Sequence, residues 1–283
     1  MYLVIGGTGR IGREVVRLLA AGDHPVRALV RDPFAASSLT GPGIELIQGD
    51  LARPETLGAV FNGATRVFLV TASGPDTVPL QRAAIAAARA AGVERLVRVS
   101  ALGVGHNLPV KLTGWHGEVE AILAESGVPG VNLRPTSYMQ NFLGSADLIR
   151  TTGQFFGTSG EGKVAWVDAR DVALAGVGAL THPEPVAQAV ALTGPQSLSQ
   201  AEIAAVFSDV LGRTVSYVDI PAEAWRAGLT GAGMPEWLAA DLVTLETLGR
   251  DGAAPIADGV ERLSGAPPRP LRQFVADYRA AFA

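Results

Sequence analysis

Two stretches carry residue types that can do chemistry. In GWHGEVEAIL, Gly114 to Leu123, the spacing reads as the start of a helix running from about His116 to near Gly127, with His116 and Glu120 on one face. A histidine and a carboxylate so placed can move protons, supply two metal ligands, or lie inert at the surface. In VIGGTGRIG, Gly6, Gly9 and Gly12 stand between an apolar run and a helical pattern. Gly6 permits a tight turn, Gly9 lets the backbone approach a pyrophosphate, and Gly12 lets the helix pack close to the strand. The helix N-terminus then faces phosphate charge. Thr8, Arg10 and Ile11 lie in the same loop and share its expected contacts with a dinucleotide.

The next apolar run ends in ALVRDP. An acidic residue at the end of this strand holds the ribose 2′-hydroxyl of NAD, whereas an arginine suits the 2′-phosphate of NADP. Arg31 occupies the position and Asp32 follows it. The guanidinium fork pairs bidentately with phosphate, and Arg10 adds a second positive group, so NADP(H) is the expected cofactor. The alternative has Asp32 turned inward and Arg31 solvated. Asp50, in QGDL after the third strand, is placed to meet the adenine ring, with Leu51 beside it.

These residues must be positioned by a scaffold. A chain of 283 residues, 48% hydrophobic and 18% charged, suffices for one large α/β domain or a domain with a smaller lobe. The runs YLVI, PVRALV, IELIQGD, RVFLV, RLVRVS and GVNLRP alternate with helical patterns, one of these helices spanning about Asp76 to Ala91. This alternation predicts a doubly wound parallel sheet. The second half is less regular. Asp168 is expected to cap a helix starting near Ala169, with Asp171 in its first turn. Ser199 and Glu202 form a capping box. The tail from about Pro221 reads as mostly helical and is expected to pack over the carboxyl edge of the sheet.

The net charge of −4 gives no footprint for nucleic acid. The absence of cysteine excludes disulfides, thiol catalysis and cysteine-ligated metals. The N-terminus lacks the features of a secretory signal. The run VALAGVGAL is about half the length of a membrane helix. A cytoplasmic protein with no membrane partner is expected. If the chain self-associates, a homodimer is the commonest arrangement.

The chain resembles the NmrA-like branch of the atypical short-chain dehydrogenase/reductase family, which includes quinone oxidoreductases and triphenylmethane dye reductases. The resemblance runs through GGTGRIG, LVRDP, GDL, VSALG, HGEVEAILAESGV, NLRPTSYMQNF, DARDVA, LTGPQSLSQAEIA with LGRTVSYV, and GVERLSGAPPRPLRQFV. It implies an NAD(P)-binding Rossmann domain, residues 1–152 plus 163–194, and a small, mostly helical substrate-binding lobe, residues 153–162 plus 195–283. On that pattern Thr71 and Ala72 lie beside the cofactor, as do Ser100 and Pro135, and the acceptor sits over the nicotinamide.

Many members of this superfamily carry Tyr-x-x-x-Lys on the helix after the fifth strand, where the tyrosine protonates a carbonyl oxygen. Here His116 and Glu120 take those places, and no Tyr-x-x-x-Lys occurs in the chain. Ketone reduction leaves an alkoxide that needs a proton in the transition state. Hydride addition to a quinone leaves a hydroquinone anion with a phenol-like pKa of about 10, which water or a histidine can protonate afterwards. The gap therefore favours quinones or other conjugated, aromatic acceptors. His116 is the candidate catalytic residue and Lys111 the secondary one; otherwise His116 packs beside the cofactor without doing chemistry, and Glu120 is structural. No third ligand motif accompanies the pair, so no metal is expected. Tyr138, Asn141 and Phe142 are candidates for the acceptor pocket, while Trp225 and Trp237 serve equally as pocket or core. The competing functions are another NAD(P)-dependent reductase, isomerase or dehydratase of specialised metabolism, and a nucleotide-sensing regulator.

Overall fold

The computed structural model describes residues 1–250 and 252–283. From the N-terminus the elements are β1 (Tyr2–Ile5), α1 (Arg10–Ala21), β2 (Val26–Val30), β3 (Ile44–Gln48), α2 (Leu57–Phe61), β4 (Arg66–Leu69) and α3 (Thr77–Ala90). Next come β5 (Arg95–Val99), α4 (Lys111–Glu125), β6 (Gly130–Pro135), α5 (Ala146–Thr152), β7 (Gln154–Gly157), β8 (Lys163–Val164), α6 (Ala169–Thr181) and β9 (Ala189–Leu192). The remainder comprises β10 (Leu198–Ser199), α7 (Gln200–Leu211), β11 (Ser216–Asp219), α8 (Ala222–Gly231), α9 (Glu236–Leu248), α10 (Gly259–Ser264), α11 (Leu271–Asp277) and α12 (Arg279–Phe282).

Seven strands form one parallel sheet in the order β3-β2-β1-β4-β5-β6-β9. Its central strands are buried on both faces, as parallel sheets between helices must be, while the edge strand β3 is partly exposed. Val4, Val97, Val131 and Leu133 point to the layer holding α1 and α6, while Leu3, Ile5, Leu69 and Leu96 point to the layer holding α3 and α4. The order reverses between β1 and β4, and the loops at their carboxyl ends diverge there, opening the crevice in which such sheets bind ligands.

The expected caps are present. The Asp168 side chain accepts from Arg170 N at 2.8 Å at the start of α6, and Ser199 and Glu202 form a complete capping box on α7. The apolar run of α6 is buried between the sheet and α10. A Cβ at Gly176 would meet the Phe68 ring, and one at Gly178 would strike the Leu263 carbonyl at 1.8 Å. Among the described residues no helix is long and apolar enough to cross a membrane.

A second core, built on Phe142, Phe155, Phe207, Phe274 and Phe282, holds the smaller lobe together. There β7 pairs in parallel with β11, and β8 pairs antiparallel with β10. The tail divides differently from the expected boundaries. Helix α9 reaches α4, whereas α10 returns to the main sheet, placing Val260 and Leu263 in its core. Helix α10 packs closely because its contacts are made at glycines: Gly178 of α6 abuts the Leu263 carbonyl, and Gly259 of α10 abuts the Ala191 carbonyl of β9.

Candidate cofactor and acceptor site

The glycine loop performs the geometry its spacing implied. Gly6 has φ +86°, and a Cβ there would lie 2.1 Å from the Val70 carbonyl, so this turn abuts the end of β4. A Cβ on Gly12 would lie 2.2 Å from the Gly6 carbonyl, and the first turn of α1 can approach β1 only because it is absent. Gly9 sits at the N-cap of α1 with no side-chain cap, and the first turn carries no acidic residue. These amides are the donors left over at a helix start, and their free state suits an anion.

After β2, Asp32 is folded onto its own loop, its Oδ1 accepting from Phe34 N at 2.9 Å and Ala35 N at 3.3 Å. This local turn holds the carboxylate and leaves Arg31 exposed, with no side-chain ion pair among the described residues. Arg10 is likewise exposed on the glycine loop. Asp50 closes the loop after β3 through Ala52 N, beside the buried Leu51. Thr8, Ala72, Ser100 and Pro135 stand at or just past strand carboxyl ends along the same edge, and Ile11 lies in the first turn of α1.

Helix α4 starts at Lys111, five residues before the expected start at His116. At 3.6 residues per turn, Lys111 and His116 therefore point about 140° apart around the axis. Lys111 is exposed and His116 is 6% exposed, so the helix does not bring them into one pocket. The His116 ring instead faces β5, where Arg98 Nη2 approaches its Nδ1 at 2.8 Å. Burial, then the Arg98 charge, push the His116 pKa down to about 4, against a smaller upward pull from Glu120.

Arg98 is fully buried and is the largest side chain in the interior. Its Nε donates to Gln81 Oε1 at 2.9 Å, and its Nη1 donates to Asn132 Oδ1 at 3.1 Å. Gln81 passes the polarity onward, donating through Nε2 to Thr71 Oγ1 at 2.9 Å. With that lone pair taken, the Thr71 hydroxyl proton is free to donate. Burial pulls the Arg98 pKa down to about 10, with Glu120 opposing, so the guanidinium stays charged at neutral pH.

Glu120 accepts from Ser100 Oγ at 2.5 Å and pairs with Arg134, whose Nε lies 3.0 Å away. Burial pushes its carboxyl up, but the hydrogen bonds from Arg134 and Ser100 prevail and hold it below the ordinary range. Glu120 is therefore a paired structural anion. Among the described residues no three His, Asp or Glu side chains converge as metal ligands.

Of the acceptor candidates, Tyr138 is partly buried at the end of β6 and bridges to Val167, and Asn141 is exposed. Phe142 is a correction. It is 5% exposed and packs edge-on to Phe155 and Phe207, deep in the lobe core. Trp237, at the start of α9, stacks edge-on against Trp115 of α4 and faces Gly74 in the loop after β4, whereas Trp225 on α8 bears on the half-buried Glu246.

Gln81, Arg98, Asn132 and Asp241 went unnoticed in the sequence. Asp241 of α9 accepts from Lys111 N at 3.1 Å and Leu112 N at 2.8 Å, capping α4 from the lobe. Only Arg98 left a signal, as a charged residue inside RLVRVS on the face shared by Leu96 and Ser100.

The NmrA-like family matches residues 2–263, nearly the whole chain. The chain belongs to this family. It is 44% identical to an NAD(P)H azoreductase of Xenophilus azovorans, over 100% of this chain and 99% of that protein. Its fold superposes with TM-score 0.90 on an Escherichia coli NADPH-dependent quinone oxidoreductase complexed with NADPH, at 27% identity over 99% and 100% of the two chains. A Citrobacter sp. triphenylmethane reductase complexed with NADP(H) matches with TM-score 0.88 at 25% identity, over 98% and 99% of the chains.

Proposed function

We propose that this protein is an NADPH-dependent reductase that delivers hydride to a conjugated aromatic acceptor, such as a quinone or an azo compound. The observation that carries this reading is the state of α4. The slot used elsewhere for a proton-donating pair holds a histidine tied to a buried arginine and a glutamate tied to Arg134 and Ser100. Such a cleft suits acceptors whose reduced anion is stable enough to take its proton from water. The relatives support the reading, since they are named for azo and quinone reduction and one was crystallised with NADPH.

NADPH supplies the hydride when bound. The chain's part is to hold the nucleotide and order the acceptor. The amides opening α1 receive the pyrophosphate. Arg31 and Arg10 meet the 2′-phosphate, and Phe34, 90% exposed on the Arg31 loop, offers a flat face to the adenine. Thr71, Ala72, Ser100 and Pro135 line the nicotinamide end. Tyr138, Asn141 and Trp237 border the acceptor space, with Trp225 further along the lobe. The balance is simple: acceptor, NADPH and one solvent proton give reduced acceptor and NADP⁺.

The test is NADPH consumption, followed by absorbance, with a panel of quinones, azo dyes and cationic triphenylmethane dyes, with NADH as control. Turnover with at least one class, faster with NADPH, is expected. Tight cofactor binding with no turnover on any acceptor would overturn the reading in favour of a nucleotide sensor.

A further inference from the structure

The network around Arg98 does more than fill the space beneath α4. Arg98 is a donor on every nitrogen, so a ring nitrogen facing it at 2.8 Å must accept. His116 Nδ1 therefore carries no proton, and a neutral imidazole must carry its proton on Nε2. Among the described residues no oxygen accepts from Nε2, yet this atom is not sealed in the interior with the polar atoms that lack partners. The ring sits in the slot where related enzymes place their proton donor, along the same edge as the glycine loop, Thr71 and Ser100.

We propose that Arg98 is the positioning residue of this site: it locks His116 in the Nε2–H tautomer, so that His116 offers the acceptor's oxygen or nitrogen an uncharged hydrogen-bond donor and never acts as a titrating acid. The charged groups facing the ring agree with this. Arg98 of β5 opposes an imidazolium at close range, and the one nearby anion, Glu120 of α4, is neutralised by Arg134 of β6. A neutral donor aimed at an atom where negative charge develops stabilises the transition state without supplying a proton. The same cation orders a second donor, since its hydrogen bond to Gln81 turns Gln81 Nε2 onto Thr71 and leaves the Thr71 hydroxyl proton outward. The catalytic part of this inference rests on the reductase reading; the tautomer does not.

The first test is therefore independent of turnover. Long-range ¹H–¹⁵N spectra of the full-length protein with bound NADP⁺ report the tautomer of each of the four histidines, His116 being assigned by its loss in His116→Gln. The expected signature is neutral Nε2–H, unchanged from pH 5.5 to 8. A ring that titrates in that range, or that carries its proton on Nδ1, overturns the proposal even if the protein is an active reductase. The second test uses kcat with a quinone or azo acceptor. Gln can accept from Arg98 and still donate, so His116→Gln is expected to lose less than His116→Leu. His116→Leu should lose about 10- to 100-fold. Equal losses in the two variants overturn the donor role. In Arg98→Met the tautomer lock is gone, and a new inflection in kcat between pH 5 and 7 is expected. If that variant fails to fold, the spectra and the His116 pair still decide the proposal. Wild type inert toward every acceptor, with the neutral signature intact, refutes the reductase reading alone.

Discussion

Asp241 of α9 accepts a hydrogen bond from the backbone amide of Leu112 at 2.8 Å, closing the start of α4 from the other lobe. A second bond, from Lys111 N to its other oxygen, completes the cap. The residue in the N-cap position, Val110, has no side-chain acceptor to offer, so the helix borrows one. The borrowed carboxylate fixes α9, and with it Trp237, against the helix that carries His116.

Replacing Asp241 should therefore affect both stability and the acceptor site. Loss of an N-cap acceptor costs about 1 kcal/mol, a drop of roughly 2–4 °C in Tm for a chain of this size. Asp241→Ala is expected to show that drop together with a raised KM for the acceptor and an unchanged KM for NADPH. Asp241→Asn, which keeps an acceptor oxygen, should fall between. A variant with wild-type Tm and acceptor KM would show that the cap does not hold the cleft.

The contrast between Asp241 and the glycine loop shows which parts of the site could be read in advance. Gly9 and Gly12 answer demands that lie within the loop itself, and the strand before them and helix after them are equally local, so the turn could be read although the Val70 carbonyl that also requires Gly6 could not. The Asp241 cap joins residues 130 apart along the chain, and no local pattern announces it. Phe142 failed for another reason. An aromatic residue after a strand end satisfies a pocket wall and a core equally well, and only the positions of Phe155 and Phe207 settle which. Lys111 failed because the helix begins one turn and a half early, which rotates it away from His116.

In the proposed reading Arg31 is the residue that discriminates between the two nicotinamide cofactors. Its side chain is exposed and free of intramolecular ion pairs among the described residues, while the neighbouring Asp32 is occupied by Phe34 N and Ala35 N. A hydrogen bond to a charged group contributes about 1.5–3 kcal/mol, or roughly 10- to 100-fold in Kd. Arg31→Ala should weaken NADPH binding by that factor and leave NADH binding nearly unchanged, as read by fluorescence titration of both cofactors. Parallel losses for NADPH and NADH would place the 2′-phosphate elsewhere.

The two helix-start glycines separate fold from binding. A Cβ at Gly12 strikes the Gly6 carbonyl at 2.2 Å, so Gly12→Ala must move α1 away from β1. Overpacking of this kind costs about 1–3 kcal/mol, and both Tm and NADPH affinity should fall. At Gly9 a Cβ lies 3.3 Å from the same carbonyl, and φ is −78°, which any residue adopts. Gly9→Ala should therefore lose less Tm than Gly12→Ala, about the cost of a poorer N-cap, while still losing NADPH affinity, because the methyl enters the space proposed for the pyrophosphate. Unchanged NADPH affinity in Gly9→Ala would mean that the pyrophosphate does not lie against this turn.

The buried histidine leaves a mark on acid stability whose sign is fixed. His116 has its pKa pushed from 6.5 down to about 4 in the folded protein by burial and Arg98. Between those values the unfolded chain binds a proton that the folded chain refuses, so stability rises with pH across the window and is lost on acidification through it. At 1.36 kcal/mol per pH unit, the full window contributes at most about 3 kcal/mol. Glu120 and Asp168, both held below the ordinary carboxylate range, add an acid loss of the same sign at lower pH, so the difference between proteins is the observable. His116→Gln has no ring to protonate. On going from pH 7 to pH 4.5, wild type should lose roughly 5–10 °C more in Tm than the variant. Melting curves that shift in parallel would show that His116 is protonated as readily in the folded protein as in the unfolded chain, and that Arg98 does not govern it.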